Sequence, residues 1–268
     1  MKGGRYRMDI FNQYITKAQT KWHEFVASYS DIHINLWIVC IIAIIFIALH
    51  YLRRYPIIKN ISILMSFVPV LVHELGHAVT TTLTRGRVND IHIMLTDYGQ
   101  QKTGAQGLAK TQPRGWLSNI LVTFMGYVFP PLFLFLGFWL VERGQSYLYI
   151  AILLVLGIYY LIHSKQKWLP LLIIAILFYT GFEIKVSDTG VMIGIVHFGY
   201  SVMLGLLLGE TIQSIIITTR IIFSRQPTEW DGSALKDSTM IPATVWWGVW
   251  TFISVFFIIN IVKLISHF

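Results

Sequence analysis

Residues 57–83 read IIKNISILMSFVPVLVHELGHAVTTTL, a long apolar run that contains a His-Glu-x-x-His motif. On a helix, positions four apart share a face, so His73 and His77 would point the same way and form half of a zinc site. Glu74 follows His73 directly and is placed to take a proton from a metal-bound water. Because ionisable residues are costly in an apolar segment, their presence favours a functional site. The alternative is a pair of core histidines bonded to carbonyls or hydroxyls, with Glu74 facing an aqueous crevice.

The composition of the chain indicates an integral membrane protein. Of its 268 residues, 55% are hydrophobic and only 13% are charged, and the apolar residues occur in long runs. A net charge of +8 is often a sign of nucleic-acid binding, but the basic residues lie between apolar runs, where membrane topology and lipid headgroups explain them better. We therefore expect contact with a lipid bilayer and no nucleic-acid partner. The single cysteine excludes an intrachain disulfide.

The apolar runs predict an all-α polytopic membrane protein with about seven transmembrane helices, organised as an N-terminal segment, 1–32, and one transmembrane domain, 33–268. The predicted spans are 33–51, 57–83, 116–140, 147–163, 168–182, 191–222 and 241–265. If these seven alternate strictly, one face of the membrane holds fifteen of the 21 Lys and Arg residues. The positive-inside rule makes that face cytoplasmic. This predicts a cytoplasmic N-terminus and a site inside the membrane, nearer the cytoplasm.

The N-terminal segment is predicted to be an amphipathic helix. Between Ile10 and Tyr29, apolar residues recur at intervals of three and four, which places them on one helical face. Such a helix would lie in the headgroup layer of the membrane. Alternatively, its apolar face packs against loops of the same protein.

The loop of residues 84–115 is predicted to form a short β-hairpin. Ile91, Ile93 and Leu95 alternate with His92, Met94 and Thr96, as in a strand, and the glycines of residues 99–107 favour a turn back. A free edge near the site could hold an extended substrate by backbone pairing. Alternatively, the hairpin pairs only with itself. Its polar residues Asp90, His92 and Asp97 are expected to be solvated rather than metal ligands.

Two features of the apolar segments bear on the site. Pro69 lies four residues before His73 and removes a backbone donor, so it predicts a kink in that helix. Gly205-x-x-x-Gly209 predicts close helix packing, and Glu210 follows it directly. A carboxylate inside the membrane requires a partner. Glu210 is therefore a candidate to orient a metal ligand or hold water beside the metal site, or else it bonds to a neighbouring helix.

A catalytic zinc site needs a third protein ligand besides the two histidines. The acidic candidates are Asp188, Glu210, Asp231 and Asp237. The charge count places Asp188 on the opposite face of the membrane from the histidines. Asp231 lies on the same face, and Gly232 would allow the backbone to approach closely. Asp231 could instead cap a short helix at residues 233–239, so spacing alone leaves the choice open.

Several motifs resemble those of the M50 site-2-protease clan of intramembrane metalloproteases, and in particular its short M50B-like branch. The resemblance covers roughly residues 57 to 255. Besides the His73-Glu74-Leu75-Gly76-His77 motif, it rests on Arg85-Gly86-Arg87, Gly126-Tyr127, Asp231-Gly232, Leu235, Thr239, Pro242, Ala243 and Trp246.

This resemblance implies that His73, His77 and Asp231 bind Zn²⁺ and that Glu74 is the catalytic base. It implies a zinc-dependent endopeptidase that cleaves membrane-embedded protein or peptide substrates near the cytoplasmic face, in a bacterial cell membrane. The alternative function is a non-catalytic membrane scaffold, or a helix-binding protein, with a structural metal site. A transporter is expected to show internal repeats, and we find none in the sequence.

Overall fold

The protein is mainly helical in the computed structural model, which describes residues 2–29, 32–187, 190–224 and 228–266. In chain order the elements are α1 (Lys2–Tyr29), α2 (Leu36–Tyr51), α3 (Pro56–Met65), α4 (Phe67–Leu83), β1 (Arg87–Ile93), α5 (Asp97–Thr103), β2 (Gly107–Gln112), α6 (Trp116–Glu142), α7 (Ser146–His163), α8 (Trp168–Ser187), α9 (Gly190–Phe223), α10 (Asp231–Thr239) and α11 (Ala243–Ile265).

All seven predicted apolar segments form helices, but seven transmembrane spans are not confirmed. Among the described residues, four helices are long and apolar enough to cross a membrane: α6, α7, residues Ile193–Phe223 of α9, and α11. The bent pair α3 and α4 would add a fifth if it forms one span. The remaining two, α2 and the apolar part of α8 at Trp168–Tyr179, are shorter. The protein is therefore an integral membrane protein with four or five candidate spans.

The segment that carries the His-Glu-x-x-His motif is broken, as Pro69 predicts. Its two halves, α3 and α4, meet at Ser66 with a bend of 47°. Pro69 lies in the first turn of α4, where a missing N–H removes no bond that the helix would otherwise make. Because of the break, α4 runs in a different direction from α3, and both histidines lie on α4.

Helices α2 and α9 pack in parallel through the glycines of the predicted close-packing motif. A Cβ at Gly205 would lie 2.7 Å from Ile42 Cβ, and one at Gly209 would lie 2.9 Å from Phe46 Cβ. Farther along both helices, the Arg220 guanidinium donates to the Tyr51 hydroxyl at 3.1 Å. Strict alternation of seven spans would make these two helices, the first and the sixth, antiparallel. The packing is therefore incompatible with the alternation from which the cytoplasmic N-terminus was predicted.

The predicted hairpin is confirmed, with α5 inserted at its tip. Strands β1 and β2 are antiparallel, with Ile91 opposite Ala109 and Ile93 opposite Gly107. Both isoleucines are buried in a cluster with Leu71 and Leu75 of α4, so the hairpin packs along the motif helix. The prediction that its acidic residues are solvated was wrong for Asp90, which is buried and accepts a hydrogen bond from the Lys165 backbone N–H at 2.9 Å.

The N-terminal segment forms the helix α1, but its position at the membrane surface stays a prediction. Its C-terminal end packs on the bundle, where the Tyr29 hydroxyl donates to the Leu177 carbonyl at 2.8 Å and Trp22 contacts Tyr147 edge to face. Farther from this contact, Phe11 and Tyr14 are mostly exposed. An apolar face left exposed in this way is compatible with the headgroup layer.

Candidate metal centre and active site

Three potential metal ligands converge at one point, although two of them lie on α4 and the third begins α10. The Nε2 atoms of His73 and His77 are 3.1 Å apart. The Asp231 Oδ2 atom lies 3.3 Å from the first and 3.4 Å from the second. These three residues are the metal ligands predicted from the sequence. The helical spacing of four brings the two imidazoles onto one face of α4.

The donor set fits a tetrahedral Zn²⁺ ion. Zinc bonds of about 2.0–2.1 Å at tetrahedral angles place neighbouring ligand atoms about 3.3–3.4 Å apart, close to the distances among these three atoms. Moreover, the Asp231 Oδ2 atom is buried and has no hydrogen-bond partner among the described residues. A buried carboxylate oxygen that faces two imidazole nitrogens without a hydrogen bond is the arrangement that a shared cation would satisfy.

The α6 backbone orients the His77 ring. The Nδ1 atom of His77 lies 2.7 Å from the Val122 carbonyl oxygen, which can only accept, so Nδ1 carries the proton. In the neutral imidazole the Nε2 lone pair then faces the other ligands. One turn farther along α6, a Cβ at Gly126 would lie 2.4 Å from the His77 ring and 2.9 Å from the His73 ring. Glycine at this position is therefore what allows α6 to pack against both imidazoles.

Asp231 does not cap a helix, in contrast to the alternative considered from the sequence. Trp230 is the N-cap residue of α10, and Asp231 is the first residue of the helix. Its side chain points to the imidazoles instead. Burial alone would raise the pKa of Asp231, but the neighbouring His77 and His73 hold this pKa well below its ordinary value. The carboxylate is therefore ionised, as a metal ligand must be.

The hairpin positions Glu74, the candidate catalytic base. Its Oε2 atom accepts a hydrogen bond of 2.6 Å from the Ala109 backbone N–H on the outer edge of β2. On the same edge, a Cβ at Gly107 would lie 2.7 Å from both Glu74 Oε1 and Val70 Cγ1. Glycine thus permits the strand to lie directly on the glutamate, and the strand amide fixes one of its two oxygens.

Among the described acidic candidates, Asp237 and Glu210 do not belong to the group of converging ligand atoms. Asp237 is exposed on α10, and Asp188 lies outside the described residues. Glu210 is on α9 and lines a cavity of about 250 Å³ together with His73 and Glu74. It accepts a hydrogen bond of 2.9 Å from the Ser214 hydroxyl, one turn along the same helix. That Glu210 orients a metal ligand or holds water beside the metal site stays a prediction.

Some residues of the site had no predicted role there. Tyr127 lines the same cavity and stands edge to face against the His73 ring, with 5.0 Å between ring centroids. It was noted only as part of the Gly-Tyr motif. Ala109 contributes only its backbone amide, which no side-chain pattern reveals. The alternation of the hairpin strands was the one available signal, since it predicts an outer edge.

Comparison with known proteins agrees with the motifs. No curated protein and no solved structure gives a significant match. A family model described as Peptidase M50B-like matches residues 37–261, which is most of the chain and includes all the helices and strands that build the site. The chain belongs to the M50B-like peptidases.

Proposed function

We propose that the protein is a zinc-dependent intramembrane endopeptidase. The observation that carries this proposal is the convergence of His73, His77 and Asp231 within 3.1–3.4 Å of one another, beside a cavity that Glu74 also lines. Membership of a peptidase family gives the reaction class, and the apolar helices around the site support a membrane setting. Zn²⁺ is the metal that this set of two imidazoles and one carboxylate favours.

In this proposal each residue has a separate task. When bound, Zn²⁺ makes a water acidic enough to ionise near neutral pH and polarises the scissile carbonyl. Glu74 accepts the proton of the attacking water and passes it to the leaving amine. The Ala109 N–H holds Glu74 Oε2, so that Oε1 is the oxygen free to accept the proton. Val122 keeps His77 in the tautomer that exposes Nε2 to the metal.

The outer edge of β2 is our proposed binding surface for the substrate backbone. Met94 N–H bonds to the Gln106 carbonyl across the hairpin, and Ala109 N–H bonds to Glu74 on the other side. Because alternate residues of a strand face opposite edges, Gly107, Ala109 and Thr111 direct their backbone groups outwards. An unwound substrate segment inside a membrane needs such partners for its freed N–H and C=O groups.

We also propose that the site lies at the cytoplasmic face, and the helix directions support this by an argument that differs from strict alternation. The C-terminal ends of α2 and α9 lie together. Helix α10 follows α9 and contacts the start of α6, where the Trp116 indole N–H donates to the Ser238 carbonyl. The chain therefore leaves α2 and enters α6 at one face, and we infer that α3 and α4 form a re-entrant segment. That face then holds thirteen of the 21 Lys and Arg residues, and the positive-inside rule favours it as the cytoplasmic face. In this proposal the N-terminus lies on the opposite side.

Purified protein in lipid nanodiscs provides the test of function. Wild-type protein and Glu74→Gln would be incubated with a panel of single-span membrane peptides, and products would be identified by mass spectrometry. We expect cleavage by the wild type, a loss of at least about 100-fold in Glu74→Gln, and equal zinc content in both. Cleavage by Glu74→Gln at the wild-type rate would refute the role of Glu74. Zinc without any cleavage by the wild type would favour the scaffold.

A further inference from the structure

Glu210 carries a carboxylate inside a candidate transmembrane helix, and the site chemistry described above does not use this carboxylate. It lies within Ile193–Phe223, the apolar part of α9. Its carboxylate accepts a hydrogen bond from the Ser214 hydroxyl of the same helix. His73 and Arg53 are the ionisable groups that interact with it electrostatically. Within the described part of the chain, no Lys, Arg or His nitrogen lies within 4.0 Å of its oxygens. One neutral hydroxyl is little compensation for a desolvated carboxylate.

The neighbouring cation is already committed elsewhere. The Arg53 side chain donates to the Ser62 hydroxyl at 2.7 Å and to the Ser66 hydroxyl at 3.2 Å, both at the end of α3. It therefore holds the end of α3, next to the break before α4, and its charge reaches Glu210 only from a distance. The carboxylate of Glu210 thus retains the capacity to accept hydrogen bonds from a further donor.

Glu210 faces the cavity in which the proposed reaction occurs. The cavity has a volume of about 250 Å³. One wall is α4 with His73 and Glu74, a second is the hairpin at residues 105–107, and a third is α9 with Glu210. A peptide that lay against the β2 edge would therefore have its scissile bond near Glu74 and would pass in front of Glu210. The volume is large enough for a few side chains, so a long substrate side chain could reach that wall.

The chemistry of the wall selects a cationic side chain. A partly buried carboxylate binds an ammonium or guanidinium group more strongly than it binds a neutral donor, because the hydrogen bonds are charge-assisted. Membrane-spanning segments carry Lys and Arg preferentially at their cytoplasmic ends, and the site lies at that face in the topology inferred above. The expected substrate therefore brings a basic residue to the place where Glu210 lies.

We propose that Glu210 is a specificity-determining residue that receives a Lys or Arg side chain of the substrate, next to the scissile bond. This inference rests on the proposed endopeptidase function. It differs from a role in orienting a metal ligand, in which Glu210 would act through His73 and affect metal binding instead.

Binding to the inactive Glu74→Gln variant tests the proposal without turnover. The probes are single-span peptides in nanodiscs that carry one Lys, moved stepwise through the cytoplasmic third of the span, each paired with a peptide that has Gln there. At one or two positions we expect the Lys peptide to bind Glu74→Gln about 10-fold more tightly than its Gln partner. The preference should vanish in Glu74→Gln/Glu210→Gln and persist in Glu74→Gln/Asp237→Asn, which removes an exposed carboxylate from α10.

Charge reversal provides the second arm. A peptide with Glu at the selected position should bind Glu74→Gln poorly and regain affinity in Glu74→Gln/Glu210→Lys. A Lys preference that survives Glu210→Gln, or no preference at any position, would overturn the proposal. Loss of zinc in Glu210→Gln, measured by mass spectrometry, would overturn it in favour of a role on His73. A wild type that binds with this preference but never cleaves would refute the peptidase function and leave the binding site.

Discussion

Gly126→Ala is expected to weaken metal binding by at least about 10-fold while leaving the protein folded. The added Cβ would lie 2.4 Å from the Cε1 and Nε2 atoms of His77 and 2.9 Å from His73 Cε1. Carbon atoms in contact lie about 3.5–4.0 Å apart, so the His77 ring must retreat by roughly 1 Å. Metal–ligand distances tolerate only about 0.2 Å of change. The His77 ring is also hydrogen-bonded to the Val122 carbonyl of α6, the helix that carries Gly126. The ring therefore cannot move away from α6 without stretching that hydrogen bond.

The effect on stability should be much smaller than the effect on zinc. Overpacking costs about 1–3 kcal/mol, whereas replacing glycine by alanine inside a helix returns about 1 kcal/mol. The net loss is therefore about 0–2 kcal/mol, and most of the protein should remain folded at room temperature. Loss of orientation of a ligating histidine commonly lowers metal affinity about 10–100-fold, and here two ligands are displaced together.

The assay compares zinc affinity and thermal unfolding in nanodiscs. Zinc would be measured by mass spectrometry after equilibration against a chelator series. Gly248→Ala is the matched control, because in the described part of the chain no atom beyond the neighbouring backbone of α11 lies within 4 Å of a Cβ at that position. This variant should bind zinc as the wild type does. A folded Gly126→Ala protein with wild-type zinc affinity would refute the conclusion that α6 packs against both ligating imidazoles.

Three further predictions concern the base, the third metal ligand and the hairpin. Ala109→Pro removes the amide that holds Glu74 and should lower kcat at least about 10-fold with unchanged zinc content. Thr111→Pro is the control, because Thr111 is also on the outer edge of β2 but does not hold Glu74, and it should affect mainly KM. Equal effects of the two substitutions on kcat would contradict the role of the amide. Asp231→Asn should lose most of the thermal stabilisation that added zinc gives the wild type, and full stabilisation would exclude Asp231 as a ligand. The Lys59 ammonium holds the pKa of Asp97 below its ordinary value, so this contact stabilises the hairpin above the unfolded pKa of about 3.9 and loses its effect as pH falls through the folded pKa. Hydrogen-exchange protection at the hairpin, measured relative to the intrinsic exchange rate at each pH, should fall on acidification, and Lys59→Met should remove that dependence.

Local patterns in the sequence predicted the parts of the site that depend on neighbouring residues. The spacing of His73 and His77 fixes their shared face wherever α4 lies. The alternation of Ile91 and Ile93 fixes the buried face of β1, and Pro69 predicts the break next to the site. In each case the physical cause acts over a few residues, so the surrounding fold is not needed to foresee the result.

Long-range relations were not predictable in the same way. Asp231 could be singled out only by resemblance to a family, because its spacing along the chain does not report its distance from the histidines. Hydropathy also cannot distinguish a complete span from a re-entrant segment, since both are apolar. The Gly205-x-x-x-Gly209 motif predicted close packing on α9, but it contains no information about the partner helix or its direction. The parallel arrangement with α2 therefore emerged only in three dimensions.

The hairpin and the metal site depend on each other if α3 and α4 are re-entrant. A strand edge at membrane depth needs hydrogen-bond partners, because unpaired backbone N–H groups are costly there. In the free protein, the Glu74 carboxylate provides one such partner for Ala109. An extended substrate on the same edge can pair with the backbone groups of Gly107 and Thr111 on either side, while the Ala109 N–H keeps its bond to Glu74. The same strand would then hold the substrate backbone and the base together, which brings the scissile bond next to Glu74.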